Sequence, residues 1–227
     1  SGAEIASLPG SAGLAAFLGL SPDGKILASS APDGTIYLWD VAARSQLRQL
    51  TGHTQSVRGL VFSPDGSRLA SGGMDQTAIL WDVNSGQVLF TLSHSNSPVY
   101  GVDFSPDGKT LASAGARSVH LWEVSSGTEI NKLEQQSYGV VMNITFAPDG
   151  KSLLASCSDG NIHILDASSL QEIAKLDHAS FVFAATYSPD GQRISSFSYD
   201  GVLHLWDAAS GVELQRVEGF INFIFSL

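Results

Sequence analysis

The sequence is short of most features that mark a disulfide scaffold, a membrane protein or a nucleic-acid binder. Cys157 is its one cysteine in 227 residues, so no intrachain disulfide and no cysteine-rich metal site can be built. No apolar run reaches the ~18 residues of a spanning helix. The first 20 residues carry Glu4 and Pro9 and no basic stretch, so neither a leader nor membrane insertion is expected. Bases are scarce as well: 12 Lys and Arg stand against 22 Asp and Glu, for a net charge of −10. Gripping a phosphate backbone takes a positive stripe, and with no basic run present a nucleic-acid partner is not expected. Charged residues are only 15% of the chain and hydrophobic ones 43%, as strands buried on both faces require.

What the sequence has instead is a repeated unit, most complete from Thr51 to Asp82. An apolar run, Val57 to Phe62, is halted by Ser63-Pro64-Asp65-Gly66, where Pro fixes φ and Gly accepts a positive φ. Leu69 to Gly73, Thr77 to Trp81 and Gln87 to Leu92 then read as three more short strands separated by turns. Pro-Asp-Gly recurs at Pro22, Pro64, Pro106, Pro148 and Pro189, in steps of 42, 42, 42 and 41. A fixed period of this length marks a repeat architecture, not one large globule. Trp39-Asp40, Trp81-Asp82, Trp122-Glu123, Leu165-Asp166 and Trp206-Asp207 close the third strand of each unit on the same beat. The acidity follows the repeat, since 14 of the 22 acids fall in its turns.

With Gly52-His53, the SPDG turn, the Leu-Ala-Ser strand and the closing Trp-Asp in one frame, the chain resembles the WD-repeat family over nearly all its length. The resemblance implies an all-β fold, a β-propeller of four-stranded antiparallel blades around a channel, used mostly to hold other proteins and usually without catalysis. Five complete blades are expected, at roughly 10–50, 51–92, 93–133, 134–176 and 177–217, with partial blades at 1–9 and 218–227. Ser1 to Pro9 matches an outer strand, and Phe220 to Leu227 an innermost one. Those two cannot complete a blade between them, so the expectation is a segment of a six- or seven-bladed ring, or missing strands supplied by neighbouring chains, with both ends unpaired or against strands from elsewhere; the alternative is a five-bladed ring with two redundant terminal strands.

Two sets of residues could be mistaken for catalytic or metal sites. His53, Ser71, Asp75 and Trp81 include the members of a nucleophilic triad. The set recurs as His178, Ser196, Asp200 and Trp206, with the same His-to-Trp step of 28, and no nucleophile elbow surrounds either Ser. The resemblance implies a buried structural tetrad at these positions. His120, His163 and His204 share one place on the third strand. With no acidic partner evident beside each, they read as a partly exposed strand face and not as a metal ring. Cys157 reads as a packed thiol at the Gly position of the Leu-Ala-Ser-Gly strand.

Neither a cofactor nor a catalytic set is expected, and the partners expected are other proteins or further segments of a longer chain. The candidate partner surface is the second position of the innermost strands: Arg58, Tyr100, Met142 and Phe183, aligned with Ala16 and Ile221. Aromatics, Met and Arg are enriched at the centres of interfaces; the competing reading is a core plug. A propeller hydrolase would need convergent acids or His on those strands, where only Asp103 stands. A sugar-binding propeller would need repeated aromatic and amide pairs, and Asn96, Tyr100 and Tyr138 do not repeat.

Overall fold

The computed structural model describes residues 17–95, 97–116, 118–134 and 137–218. These residues contain strands and turns and no helix, and the strands form five four-stranded antiparallel sheets, each a meander in chain order. The first sheet is β1 (Leu18–Leu20), β2 (Ile26–Ser30), β3 (Ile36–Asp40) and β4 (Ser45–Leu50). The second is β5 (Val57–Phe62), β6 (Arg68–Gly73), β7 (Thr77–Asp82) and β8 (Val88–Ser93). The third is β9 (Val99–Phe104), β10 (Thr110–Gly115), β11 (Ser118–Glu123) and β12 (Glu129–Glu134). The fourth is β13 (Val141–Phe146), β14 (Ser152–Cys157), β15 (Asn161–Asp166) and β16 (Glu172–Asp177), and the fifth is β17 (Val182–Tyr187), β18 (Arg193–Ser198), β19 (Leu203–Asp207) and β20 (Glu213–Val217). The four strands read from the second repeat are present with ends within one residue of expectation. The terminal strands expected at 1–9 and 220–227, with Ala16 and Ile221, lie outside the described residues.

Turn chemistry places the strand ends. In the SPDG turn the Gly66 N–H donates to Ser63 O at 2.8 Å, and Asp65 accepts the Ser63 hydroxyl at 2.6 Å and the Ser67 N–H at 3.0 Å. The glycine must be left-handed for the chain to reverse, and φ is 72°, 71°, 70°, 71° and 70° at Gly24, Gly66, Gly108, Gly150 and Gly191. These hydrogen bonds hold the carboxyls of Asp23 and Asp65 down at about 2. The acids of this turn are therefore spent on backbone geometry.

Within each of two contact units, one through Val99 and one from Tyr100, sheets pack face to face. In the first, Ala28, Ile36, Leu38 and Leu50 meet Val57, Leu69, Ile79 and Trp81. In the second, Leu153 faces the third sheet's Ala112, Val119 and Leu121, while its neighbour Leu154 faces Val182, Ala185 and Ile194 of the fifth. Successive residues of β14 point to opposite faces, and both are buried, so the strand is apolar without alternation.

The innermost strands of the second unit are tied directly. A Cβ on Gly101 would lie 2.8 Å from Ile144 N, so only glycine lets β9 approach β13 this closely. One step along, Asp103 Oδ2 accepts the Phe146 N–H at 2.7 Å. At the equivalent position of β13, Thr145 donates to Ala185 O of β17 at 3.2 Å. Part of Asp103 reaches solvent, but its carboxylate is turned to the neighbouring strand, and desolvation raises its pKa to about 7 against the pull of the Phe146 and Phe104 N–H groups.

Candidate functional site

Three of the four candidate contact residues occupy a backbone irregularity. Val57 pairs with Gly73 and Gly59 with Gly72, leaving Arg58 as the extra residue of a bulge. Met142 is the extra residue between the Val141–Cys157 and Asn143–Ser156 pairs, and Phe183 between Val182–Ser198 and Ala184–Phe197. A bulge bends its strand and re-aims one side chain. Tyr100 holds the same second place on β9. Arg58 is exposed, and Tyr100, Met142 and Phe183 are half-buried. Arg58 belongs to the first unit and the other three to the second.

The loops beside these bulges lie at one end of each sheet. Met74 N–H donates to Ser56 O at 3.0 Å, Ser158 N–H to Val140 O at 2.9 Å and Tyr199 N–H to Phe181 O at 2.8 Å. The turn between second and third strands is thereby fastened to the segment entering the first. In the fifth sheet this end carries an aromatic group: Phe183 has its ring centroid 4.8 Å from Phe181 and 6.1 Å from Tyr199. Tyr199 is 62% exposed. Reasoning from aligned inner strands missed it because it lies in a turn, at the place that Met74 holds in the second repeat.

In the second sheet the four tetrad residues form one hydrogen-bonded chain. Trp81 Nε1 donates to Ser71 Oγ at 2.8 Å, Ser71 Oγ lies 2.7 Å from His53 Nε2, and His53 Nδ1 lies 2.9 Å from Asp75 Oδ2. Burial lowers the His53 pKa despite the Asp75 charge. For Asp75, burial pushes upward, but the Thr54 N–H, the Thr77 hydroxyl and His53 together leave the pKa below its ordinary value. The pair is thus a neutral imidazole donating from Nδ1 to a carboxylate, with Nε2 accepting from Ser71. Although this is the order of a Ser-His-Asp triad, Ser71 is 0% exposed and its oxygen also receives the indole N–H. What the chain does is join β6, β7 and the loop entering β5.

The recurrence in the fifth sheet is incomplete, which corrects the expectation from sequence. Trp206 and His178 both reach Ser196, at 2.8 and 2.9 Å. Asp200 instead accepts from Ser198 Oγ, and His178 Nδ1 is buried with no hydrogen-bond partner. The cause is one residue. Ser198 pairs with Val182 as Gly73 pairs with Val57, and a Cβ on Gly73 would lie 2.5 Å from His53 Nδ1 and 2.6 Å from Asp75 Oδ1. The side chain of Ser198 stands where the His–Asp contact would pass.

His120, His163 and His204 also differ from expectation, being buried and not partly exposed. Each has an acid nine residues on, at the start of the fourth strand. His120 Nδ1 lies 3.0 Å from Glu129, His163 Nδ1 2.7 Å from Glu172 and His204 Nδ1 2.9 Å from Glu213. His163 has a second acid, with Nε2 3.0 Å from Asp159 Oδ2. Donor atoms of Cys157, Asp159 and His163 lie within 4.8 Å of one another, the arrangement among the described residues that could hold a metal ion. Burial pushes the Cys157 thiol up. Its register also differs from the motif alignment, since Cys157 pairs with Val141 and so matches Gly73, not Gly72. That pairing puts Ala155 and Leu165 at the places of Ser71 and Trp81.

Five four-stranded meanders on a 42-residue beat, packed face to face within each unit, define a β-propeller. The chain matches the family model of the IFT122 first beta-propeller over residues 17–222 and belongs to that family. A search of curated proteins gave no match. No helix among the described residues is long and apolar enough to cross a membrane.

Proposed function

We propose that this chain is a noncatalytic scaffold of the WD-repeat kind that binds other proteins, or other segments of a longer chain, at the bulged ends of its inner strands. The observation that carries the reading is the bulge itself, which sets Arg58, Met142 and Phe183 out of register at the same position of three repeats. Residues rich in contact area placed on a rigid sheet end suit an interface, because little side-chain entropy is lost on binding. The net charge of −10 and the absence of a basic run favour protein over nucleic acid as the occupant.

The test is affinity capture from source cells with mass spectrometry, run in parallel on the wild type, on Met142→Asp with Phe183→Asp, and on Lys109→Glu with Lys151→Glu at the opposite turns. A set of proteins held by the wild type and the lysine variant but lost by the Met142 and Phe183 variant is expected. Retention of the same set by all three, with near-ultraviolet circular dichroism unchanged, would sink the reading.

A further inference from the structure

The fourth sheet lacks the polar network of the second, yet it holds a group of donors found nowhere else among the described residues. Ala155 and Leu165 replace the Ser and Trp. Ser156, which the Leu-Ala-Ser motif would nominate, has a buried hydroxyl without a hydrogen-bond partner. At the Gly73 position stands Cys157, wholly buried, with its thiol 3.4 Å from Ala155 O. Beside it, Asp159 comes from the turn after β14 and His163 from the third residue of β15.

The orientation of His163 points to a cation. Its Nδ1 faces Glu172 at 2.7 Å, and Tyr138 stacks on the ring with centroids 3.6 Å apart, so the ring plane is fixed. Nε2 lies 3.0 Å from Asp159 Oδ2, so each ring nitrogen faces a carboxylate. A divalent ion at Nε2 would take the place of a ring proton there, with Asp159 and Cys157 as the further donors at hand. A carboxylate holding the far nitrogen of a ligating imidazole is the usual outer partner in zinc sites. The equivalent histidines lack this setting: Nε2 of His120 meets the Ser118 hydroxyl at 3.0 Å, and Nε2 of His204 is buried with no partner.

We propose that Cys157 Sγ, an Asp159 carboxylate oxygen and His163 Nε2 form a tetrahedral site for zinc or a similar divalent ion, with the fourth position open to solvent beside Asp159. Zinc bonds of roughly 2.0–2.3 Å imply donor separations of about 3.3–3.7 Å. The present donors lie within 4.8 Å of one another, about 1 Å from that spacing. Thiolate, imidazole and carboxylate together suit zinc better than calcium or magnesium, which take oxygen. The ion would join β14, the following turn and β15, and through Glu172 also β16, much as the Trp-Ser-His-Asp chain joins the strands of the second sheet.

The test uses the whole chain, stripped with chelator and titrated with cobalt(II) and then zinc(II). Expected are a near-ultraviolet thiolate-to-cobalt charge-transfer band saturating at one equivalent, its displacement by zinc, and a raised unfolding midpoint with zinc. Cys157→Ser should abolish the band, Asp159→Asn should weaken zinc binding, and Glu172→Gln should weaken it by about 10- to 100-fold. His204→Gln should change none of these. Absence of the charge-transfer band in the wild type overturns the proposal. So does zinc affinity unaltered in Asp159→Asn, whose site on an exposed turn keeps the test valid should Cys157→Ser fail to fold.

Discussion

Gly73→Ser should cost the protein about 2 kcal/mol, and the reason is visible in another of its own repeats. The added Cβ would lie 2.5 Å from His53 Nδ1, 2.6 Å from Asp75 Oδ1 and 2.8 Å from His53 Cε1, so the imidazole and carboxylate must part. Asp75 keeps the Thr54 N–H and the Thr77 hydroxyl and gains the new serine, but His53 Nδ1–H loses the carboxylate and keeps only the long contact to the Thr77 hydroxyl at 3.4 Å. That loss costs about 2 kcal/mol, and overpacking about 2 kcal/mol more. Against them stand a new Ser–Asp bond of about 1 kcal/mol and a smaller entropy of the unfolded chain worth about 0.7 kcal/mol. Gly73→Ala meets the same clash without the new bond and should lose about 3 kcal/mol.

The assay is urea denaturation at equilibrium, paired with the imidazole proton spectrum. The His53 Nδ1–H resonance should vanish in Gly73→Ser, and an Nδ1–H resonance from His178 should emerge in the converse variant Ser198→Gly. The converse change should be close to neutral in stability, since repairing His178 is offset by a lost Ser–Asp bond and by a glycine in a strand at about 0.5–1 kcal/mol. Gly73→Ser with wild-type stability and an intact His53 resonance would refute the argument.

Two further outcomes follow from the same geometry. Trp81→Ala should cost more than Trp39→Ala, because both lose about 3–5 kcal/mol of packing but Trp81 feeds a chain that runs on through Ser71 to His53, whereas among the described residues Trp39 reaches Ser29 and no further; equal denaturation midpoints would count against this. Acid should act on Asp103 and His178 in opposite directions. With its folded pKa raised from 3.8 to about 7, Asp103 stabilises the fold most below its unfolded value, and that contribution is lost as pH rises through about 7. With its folded pKa lowered from 6.5 to about 4 by burial first and the His204 charge second, His178 contributes stability above its unfolded value that is lost as pH falls toward about 4. Asp103→Asn should therefore show a steeper acid loss than the wild type, and His178→Gln a shallower one; parallel pH profiles for both variants would dismiss the assignment.

The parts of the fold that rest on local chemistry were legible in the sequence. A Pro-Asp-Gly turn needs its own four residues and little else, so its period gave strand ends to within one residue. The His–Glu pairs were missed because their spacing crosses a turn and then a bulge. In the fourth sheet His163 pairs in register with Lys175, but a shift between Ile164 and Leu165 sets Glu172 opposite Leu165, on the face that His163 shares. The same shift occurs between Leu121 and Trp122 and between Leu205 and Trp206. A signal for it exists within the repeats: His120, His163 and His204 have Glu nine residues on, whereas Tyr37 has Gln46 and Ile79 has Val88. The residue pair changes together, as two side chains in contact across a hairpin would.

Register also explains why the fourth repeat misleads when read by letters. Aligning Leu-Ala-Ser matches Ser156 to Ser71, but the strand pairs one residue out from that frame, with Leu153 opposite Leu165 where Leu69 is opposite Trp81. Moving a strand by one residue exchanges its faces. The hydroxyl of Ser156 consequently lies on the face of Leu154, away from the Ala155 and Leu165 that stand at the Ser and Trp places, and goes unsatisfied, while Cys157 takes the position that glycine holds in the second repeat. In one sheet that position is empty of side chain so that His53 can meet Asp75; in another Ser198 fills it and captures Asp200; in the fourth a thiol fills it beside His163 and Asp159. The strand pairing at this position is the same in all three, and the atom placed at that point decides whether the sheet is joined by a histidine–carboxylate pair, is left with an orphaned histidine, or presents sulfur, nitrogen and oxygen donors to a cation.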